Sequence, residues 1–167
     1  MGEANIENNI VVAPQPEGLG GWLALVGLGI IVSPVIMVFQ ILKTYIPVFT
    51  NETWSILTTP GAQSYNPAWA PLIIIEIAVN VCMIALWVYI AYLYFTKKYK
   101  FKNWYIASLL IALLAPIIDS IATGILLPQI STMETKEIGQ TIKQAIISGV
   151  WIAYILKSER VRNTFVK

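Results

Sequence analysis

A carboxylate, Asp119, lies within a long apolar run of this sequence, close to the hydroxyl groups of Ser120 and Thr123. A charged side chain in hydrocarbon costs about 3 kcal/mol or more, so such a residue normally faces a partner or a wet cavity. Its neighbours can hydrogen-bond to a polar ligand in the same place. The sequence therefore predicts a polar site inside an apolar region.

Polar side chains also interrupt two other apolar segments. Glu76 and Asn80 are four residues apart and therefore share one face of a helix. Lys143 and Gln144 lie near the start of the last apolar segment. We expect these groups to share one outward-facing pocket for a small polar ligand, a cation or a proton. The predicted pocket residues are Glu76, Asn80, Asp119, Thr123, Lys143 and Gln144.

Matched depth is the reason to pair Asp119 with Lys143. At about 1.5 Å per residue, Asp119 lies about 22 Å from Trp104, and Lys143 lies about 21 Å from Lys157. A contact between the two, direct or through water, would leave neither charge alone in hydrocarbon. The alternative is that Lys143 neutralises only one carboxylate, or extends to the outer surface, while the second carboxylate is protonated.

The composition excludes several other kinds of chemistry. The chain has no histidine, which removes the commonest transition-metal and haem ligand. Its single cysteine, Cys82, cannot form an intramolecular disulfide or a CxxC site. There is no HExxH motif, no nucleophile with a histidine and no aspartate motif of lipid phosphotransferases. We therefore expect no enzyme activity, no cofactor and no metal site.

The chain that must position the pocket is strongly apolar. Of its 167 residues, 57% are hydrophobic and 12% are charged, and the mean hydropathy is +0.69. These values are typical of a membrane protein. A helix rises about 1.5 Å per residue and must cross about 30 Å of hydrocarbon. We predict an all-α, polytopic membrane protein, a four-transmembrane-helix bundle with spans at about 20–42, 70–95, 104–127 and 138–157.

The remaining segments are predicted from their polarity and prolines. Residues 1–18 are expected to form a disordered cytoplasmic tail, 19–157 the transmembrane domain, and 158–167 a basic cytoplasmic tail. In the loop at 43–69, Pro47 and later prolines are expected to stop the first helix. Aromatic residues in this loop favour the membrane interface, with a short helix at about 52–57.

Prolines and small residues predict how the spans bend and pack. Pro34 and Pro116 lie inside their spans and are expected to kink them. Small residues four apart let another helix approach closely. The pairs Gly20/Ala24 and Gly29/Ser33 and the stripe Ala145, Gly149 and Ala153 have this spacing. Beside that stripe, Gln140, Gln144 and Ser148 form a polar stripe, which predicts water or protein on that side.

Charge asymmetry predicts the orientation. If both termini are inside, the inner segments contain Lys97, Lys98, Lys100, Lys102, Lys157, Arg160, Arg162 and Lys167, and the outer ones contain Lys43, Lys136 and Lys143. This is the positive-inside pattern, so both termini are expected in the cytoplasm.

Two halves of the chain share a Trp–Pro interval. Trp22 precedes Pro34 by the same interval as Trp104 precedes Pro116. The interval suggests two tandem helical hairpins, and coincidence is the alternative.

Three segments carry a family resemblance. Gly20-Gly21-Trp22-Leu23 opens the first span, Ser33-Pro34 lies within it, and Lys157-Ser158-Glu159-Arg160-Val161-Arg162-Asn163-Thr164-Phe165 closes the chain. Together they resemble the YdgK-like family of uncharacterised bacterial inner-membrane proteins, domain of unknown function family 2569. The resemblance implies four spans and a location in the bacterial cytoplasmic (inner) membrane. It implies no catalytic residues.

Two functions are consistent with these observations. The first is a protein that binds or transports a small polar ligand or an ion through the outward-facing pocket. The second is a non-enzymatic accessory or interaction subunit whose small-residue stripes dock onto a second copy or onto another membrane protein. The lipid bilayer is an expected partner in either case, and nucleic acid is not, because the basic residues are divided among short loops.

Overall fold

The computed structural model describes residues 16–128 and 135–167, and of residues 135–137 it describes only the backbone. Within these ranges every regular element is helical, so the all-α prediction is confirmed there. Residues 1–15 of the predicted tail and the side chain of Lys136 lie outside the described part. The helices are α1 (Trp22–Thr50), α2 (Thr53–Thr58), α3 (Trp69–Phe95), α4 (Phe101–Leu126), α5 (Thr135–Lys157) and α6 (Glu159–Thr164).

Three helices in the described ranges, α1, α3 and α4, are long and apolar enough to cross a membrane. They correspond to the first three predicted spans, and the bounds of α3 and α4 are close to the predicted ones. Helix α5 does not meet the same standard, because polar residues such as Gln140, Lys143 and Gln144 occupy its first half. The three apolar helices are those expected of an integral membrane protein, and α5 is the most polar of the long helices.

Helix α1 is longer than the sequence predicted. The prediction that the prolines stop it before Pro47 is wrong, because the helix continues through both Pro34 and Pro47 to Thr50. Pro47 removes one backbone hydrogen bond close to the end of the helix, while the added turns bury Tyr45, which is 7% exposed. The short helix predicted at 52–57 is α2. Pro116 likewise lies inside a continuous helix, α4, and the kinks stay predictions.

The buried core lies at one end of the bundle, here called the basic end. This end comprises the start of α1, the turn between α3 and α4 with its lysines, and residues 157–167. Phe101 is completely buried there, with ring centroids of Phe165 at 4.2 Å and of Tyr94 and Tyr105 at 5.4 Å each. Helix α1 packs on α3, α3 on α4, and α4 on α5. The core therefore ties all four long helices together at this end.

The opposite end, here called the α2 end, is packed more loosely. No residue of α4 from Leu110 to Leu126 is buried within the described structure. On α1 and α3 the buried residues near this end are Tyr45 and Ile73. The helices of the α2 end thus leave surface open beside the polar residues that the sequence singled out.

Both ends of the described chain meet at the basic end. Gly18 N donates a hydrogen bond to Thr164 Oγ1 at 2.8 Å, and Arg160 Nη1 donates to Glu17 O at 3.1 Å. Residues 16–18, at the end of the predicted tail, therefore contact α6. Helix α6 itself is part of the core through Val161, and Phe165, directly after the helix, also belongs to the core. The family motifs at the two ends of the sequence consequently lie side by side.

Small residues pack differently from the prediction. Apart from its own stretch of helix, a Cβ added to Gly29 or Gly149 would have no atom within 4 Å, so neither glycine is a close-contact point in the described part of the chain. Ala145 and Ala153 are exposed, whereas Ser148 is 1% exposed and accepts a hydrogen bond from Gln144 Nε2 at 3.3 Å. The small stripe therefore makes no close contact within the described bundle, because α5 turns Ser148 inward instead, and its packing against another chain stays a prediction.

Candidate functional site

The candidate site is centred on Tyr45 of α1, a residue that sequence reasoning missed. Its side chain is buried, and its hydroxyl oxygen has no hydrogen-bond partner of acceptable geometry in the described structure. The carboxyl group of Glu76 and the amide of Asn80 nevertheless lie within interaction range of this hydroxyl, and Asp119 is close enough for its charge to act there. Three helices, α1, α3 and α4, thus direct polar groups to one place.

The helical rise explains why these residues meet. Tyr45 lies about 8 Å from Thr50 along α1, and Glu76 lies about 10 Å from Trp69 along α3. Asp119 lies about 10 Å from the end of α4. Helices α1 and α4 end at the α2 end and α3 begins there. The three side chains therefore occupy one layer, about two turns inside the bundle.

A hydrogen bond orders the part of the site that belongs to α3. Asn80 Nδ2 donates to the backbone oxygen of Glu76 at 2.9 Å. The bond spans one helical turn and holds the amide against the backbone of Glu76, on the face of α3 that the two residues share. Glu76 is exposed and Asn80 is half-buried, so α3 presents one acid and one amide at the surface of the bundle.

The charge of the site is unbalanced. Glu76 and Asp119 are close enough to interact electrostatically, and like charges repel. The ion pair found among the described residues joins Arg162 to Glu159 at 3.6 Å, at the basic end. Neither carboxylate of the site therefore has a basic partner in the described structure.

Lys143 does not supply the missing charge. The predicted contact through water stays a prediction, but the direct one is absent, since Lys143 is exposed and forms no ion pair with Asp119 in the described structure. The reason is the rotation of about 100° between consecutive helical residues. Helix α5 turns Gln144 toward Ser148 and the bundle, which directs Lys143 elsewhere. Thr123, another predicted pocket residue, is half-buried, and its side chain has no hydrogen bond in the described structure.

A sequence signal for Tyr45 did exist. The residues that follow the predicted end of the first span, Thr44-Tyr45-Ile46-Pro47-Val48-Phe49, are mostly apolar. Reading Pro47 as a stop placed Tyr45 in the loop. Extending the helix by two turns instead puts the phenol at the depth of Glu76.

The donor set favours a small cation. Carboxylate, phenol and amide oxygens are hard ligands, which suit hard cations. No group of three or more His, Cys, Asp or Glu side chains able to hold a metal ion occurs in the described ranges. Two carboxylates, a phenol and an amide can together hold a small monovalent cation or an ammonium group.

Comparison with known proteins gives the family. Searches of curated proteins and of solved structures found no significant match. The sequence profile described as "Protein of unknown function (DUF2569)" matches residues 16–166. That range includes every helix and all of the candidate site. Because the match covers nearly the whole length, the chain belongs to the DUF2569 family, as its motifs predicted, while the YdgK-like name stays a prediction.

Proposed function

We propose that this protein crosses the bacterial cytoplasmic membrane four times, with α5 as the fourth span and both termini in the cytoplasm. Contact between the first and last described segments at the basic end supports an even number of crossings. The 23 residues of α5 extend about 35 Å, enough for a hydrocarbon core of about 30 Å. The lysines and arginines at the basic end support its cytoplasmic orientation.

Within this bundle, we propose that the cluster of Tyr45, Glu76, Asn80 and Asp119 binds a small monovalent cation, such as an alkali-metal or primary ammonium ion. The observation that carries the proposal is the buried, unpartnered hydroxyl of Tyr45 beside two carboxylates that have no basic partner in the described residues. A cation between the carboxylates would offset their repulsion, since opposite charges attract strongly in a medium of low polarity. The phenol and amide oxygens would complete its coordination.

The position of the cluster suggests how the cation reaches it. Both carboxylates are exposed, whereas Tyr45 is buried, so a cation would reach the carboxylates at the surface of the bundle before it reaches the phenol. It lies near the α2 end, which faces outward in the proposed orientation. A cation from the outer side would therefore enter beside Asp119 and Glu76 without crossing the core.

Glu76→Gln and Asp119→Asn test the cation site. In the purified protein, replacing N-methylglucamine chloride by sodium chloride or methylammonium chloride at constant ionic strength should raise the unfolding temperature, because a ligand stabilises the state that it binds. Each variant should need at least tenfold more cation for the same rise, a loss of about 1.4 kcal/mol in binding. Tyr45→Phe should weaken binding while keeping the ring in place.

Glu52→Gln is the matched control. Glu52 is an exposed acid at the start of α2 that is not among the groups interacting with Tyr45 or Glu76, and its replacement should leave the cation response unchanged. No cation-dependent shift in the wild-type protein, or an equal loss in the Glu52 variant, would exclude the site.

A second candidate function is that of an accessory subunit or a homo-oligomer. The observation that favours it is the exposed stripe of Ala145, Gly149 and Ala153, which no other helix of the chain covers in the described structure. Small residues let helices of separate chains approach closely in a membrane.

Gly149→Leu tests this second function. We expect it to reduce the mass of the complex in detergent by at least one subunit, with no fall in the unfolding temperature of the monomer, because space around Gly149 is open within the described structure. Gly139→Leu, at an equally open glycine of α5 off the stripe, should change neither quantity. An unchanged mass for the Gly149 variant would assign the stripe to lipid.

A further inference from the structure

A cavity of about 190 Å³ lies at the basic end, between the turn that joins α3 to α4 and the junction of α5 with α6. Three cationic side chains line it, those of Lys102, Lys157 and Arg162. No carboxylate is among its lining residues. The cavity therefore combines a concave shape with a concentration of positive charge, and nothing in the candidate cation site accounts for it.

Hydroxyl groups accompany these charges. Ser158 and Tyr99 also line the cavity. Ser158 Oγ accepts a hydrogen bond from Val161 N at 3.3 Å, which leaves its own O–H free to donate to a ligand. Together with the ammonium and guanidinium groups, these donors suit a phosphate, which accepts several hydrogen bonds at once.

The base of the cavity is apolar. Its lining includes three residues of the buried core, Ile155, Val161 and Phe165. Phe165 stacks on Phe101 with ring centroids 4.2 Å apart. A ligand that fills the whole cavity must therefore have an apolar part next to its anionic group.

The walls are fixed by the backbone. Tyr99 N donates to Lys167 O at 2.7 Å, and Lys167 N donates to Lys97 O at 3.3 Å. These bonds tie the end of the chain to the α3–α4 turn. Arg162 is held only loosely by Glu159, at 3.6 Å and with both side chains largely exposed, so its guanidinium can turn to a ligand.

We propose that this cavity binds the phosphate group of an anionic phospholipid. The cavity is located where the last turn of α5 and the first turn of α4 reach the membrane surface, and basic pockets between helices at such a surface attract anionic headgroups. The apolar base fits the glycerol and the upper part of an acyl chain, which a free phosphate lacks. The site is at the opposite end of the bundle from the candidate cation site and does not depend on it.

The double variant Lys102→Gln/Arg162→Gln tests the proposal in the full-length protein. Added phosphatidylglycerol should raise the unfolding temperature of the wild-type protein in detergent at much lower concentration than phosphatidylcholine. The double variant should need at least roughly tenfold more phosphatidylglycerol for the same rise, since each basic residue near an anionic membrane surface contributes measurably to binding. Both side chains are exposed, so the helical circular dichroism of the variant should equal that of the wild type.

Lys98→Gln is the control for general surface charge. Lys98 lies in the turn between α3 and α4 but does not line the cavity. Its replacement should therefore leave the lipid response intact. Equal weakening by Lys98→Gln, or equal stabilisation by both lipids, would overturn the proposal. Inorganic phosphate that stabilises the wild type as well as phosphatidylglycerol does, and loses this effect in the double variant, would assign the site to a soluble phosphate and not to lipid.

Discussion

Replacement of Gly27 by alanine is expected to destabilise the bundle by about 3 kcal/mol, through overpacking and loss of a buried hydrogen bond. A Cβ at this position would lie 2.6 Å from Tyr94 Oη and 2.8 Å from two ring carbons. Tyr94 is 2% exposed and donates a hydrogen bond to Leu23 O at 2.8 Å. The added methyl group therefore requires the ring to move away from its acceptor.

The surroundings of Tyr94 leave little room for that movement. Its ring has edge contacts with Phe95 and Phe101, at centroid distances of 5.1 Å and 5.4 Å, and a tilted contact with Phe165 at 5.9 Å. Displacement of the phenol would disturb the aromatic core that joins α3, α4 and the end of the chain. The hydroxyl would also be left without its acceptor, which is costly for a buried group.

Gly29→Ala is the matched control, in the same helix. Nothing lies within 4 Å of a Cβ at Gly29, and alanine is favoured over glycine in a helix by about 1 kcal/mol. The two substitutions should thus shift the unfolding temperature in opposite directions, downward for Gly27 and slightly upward for Gly29. Equal shifts would show that Tyr94 does not pack against α1 as described.

Phe101→Ala is expected to lower the free energy of unfolding by about 3 kcal/mol or more, since removing a buried aromatic ring leaves a cavity. The ring is completely buried and contacts three other aromatic rings of the core. One of them, Phe165, attaches the end of the chain to α4. The variant should therefore also loosen residues 159–167, which limited proteolysis or hydrogen exchange would detect.

Phe39→Ala makes the same chemical change on the surface of α1. Phe39 is 70% exposed, so in a membrane its ring contacts mainly lipid, and its loss should change the unfolding temperature little. A destabilisation by Phe39→Ala as large as that by Phe101→Ala would mean that a second chain, and not lipid, covers this face.

The separation of core and polar site has a consequence for function. The core that holds the four long helices lies at the basic end, whereas Tyr45, Glu76 and Asp119 lie near the α2 end. Substitutions in the cation site should therefore affect binding with little effect on folding. Substitutions of Gly27 or Phe101 should reduce the amount of folded protein without changing the cation affinity of what remains.

Part of this protein follows from its sequence alone. Bilayer thickness sets the length of an apolar helix, so the class of protein and three long helices were predictable, with errors mainly at their ends. Local helical spacing also sufficed to place Asn80 beside Glu76, because residues four apart lie on one face whatever surrounds the helix. The family motifs near both ends of the chain were also visible, because they are continuous segments of sequence.

The tertiary structure decided how each helix is turned. A transmembrane helix is apolar on nearly all sides, because lipid and protein neighbours both accept apolar side chains, so its pattern does not reveal which face points inward. The sequence therefore indicated Gly29 and Gly149 as points of close packing, whereas the close contact in the structure is at Gly27. It also indicated Lys143 as the partner of Asp119, whereas the groups that interact with Asp119 are Tyr45 and Glu76. The basic cavity likewise exists only because the chain end returns to the α3–α4 turn, a long-range contact that no local spacing specifies.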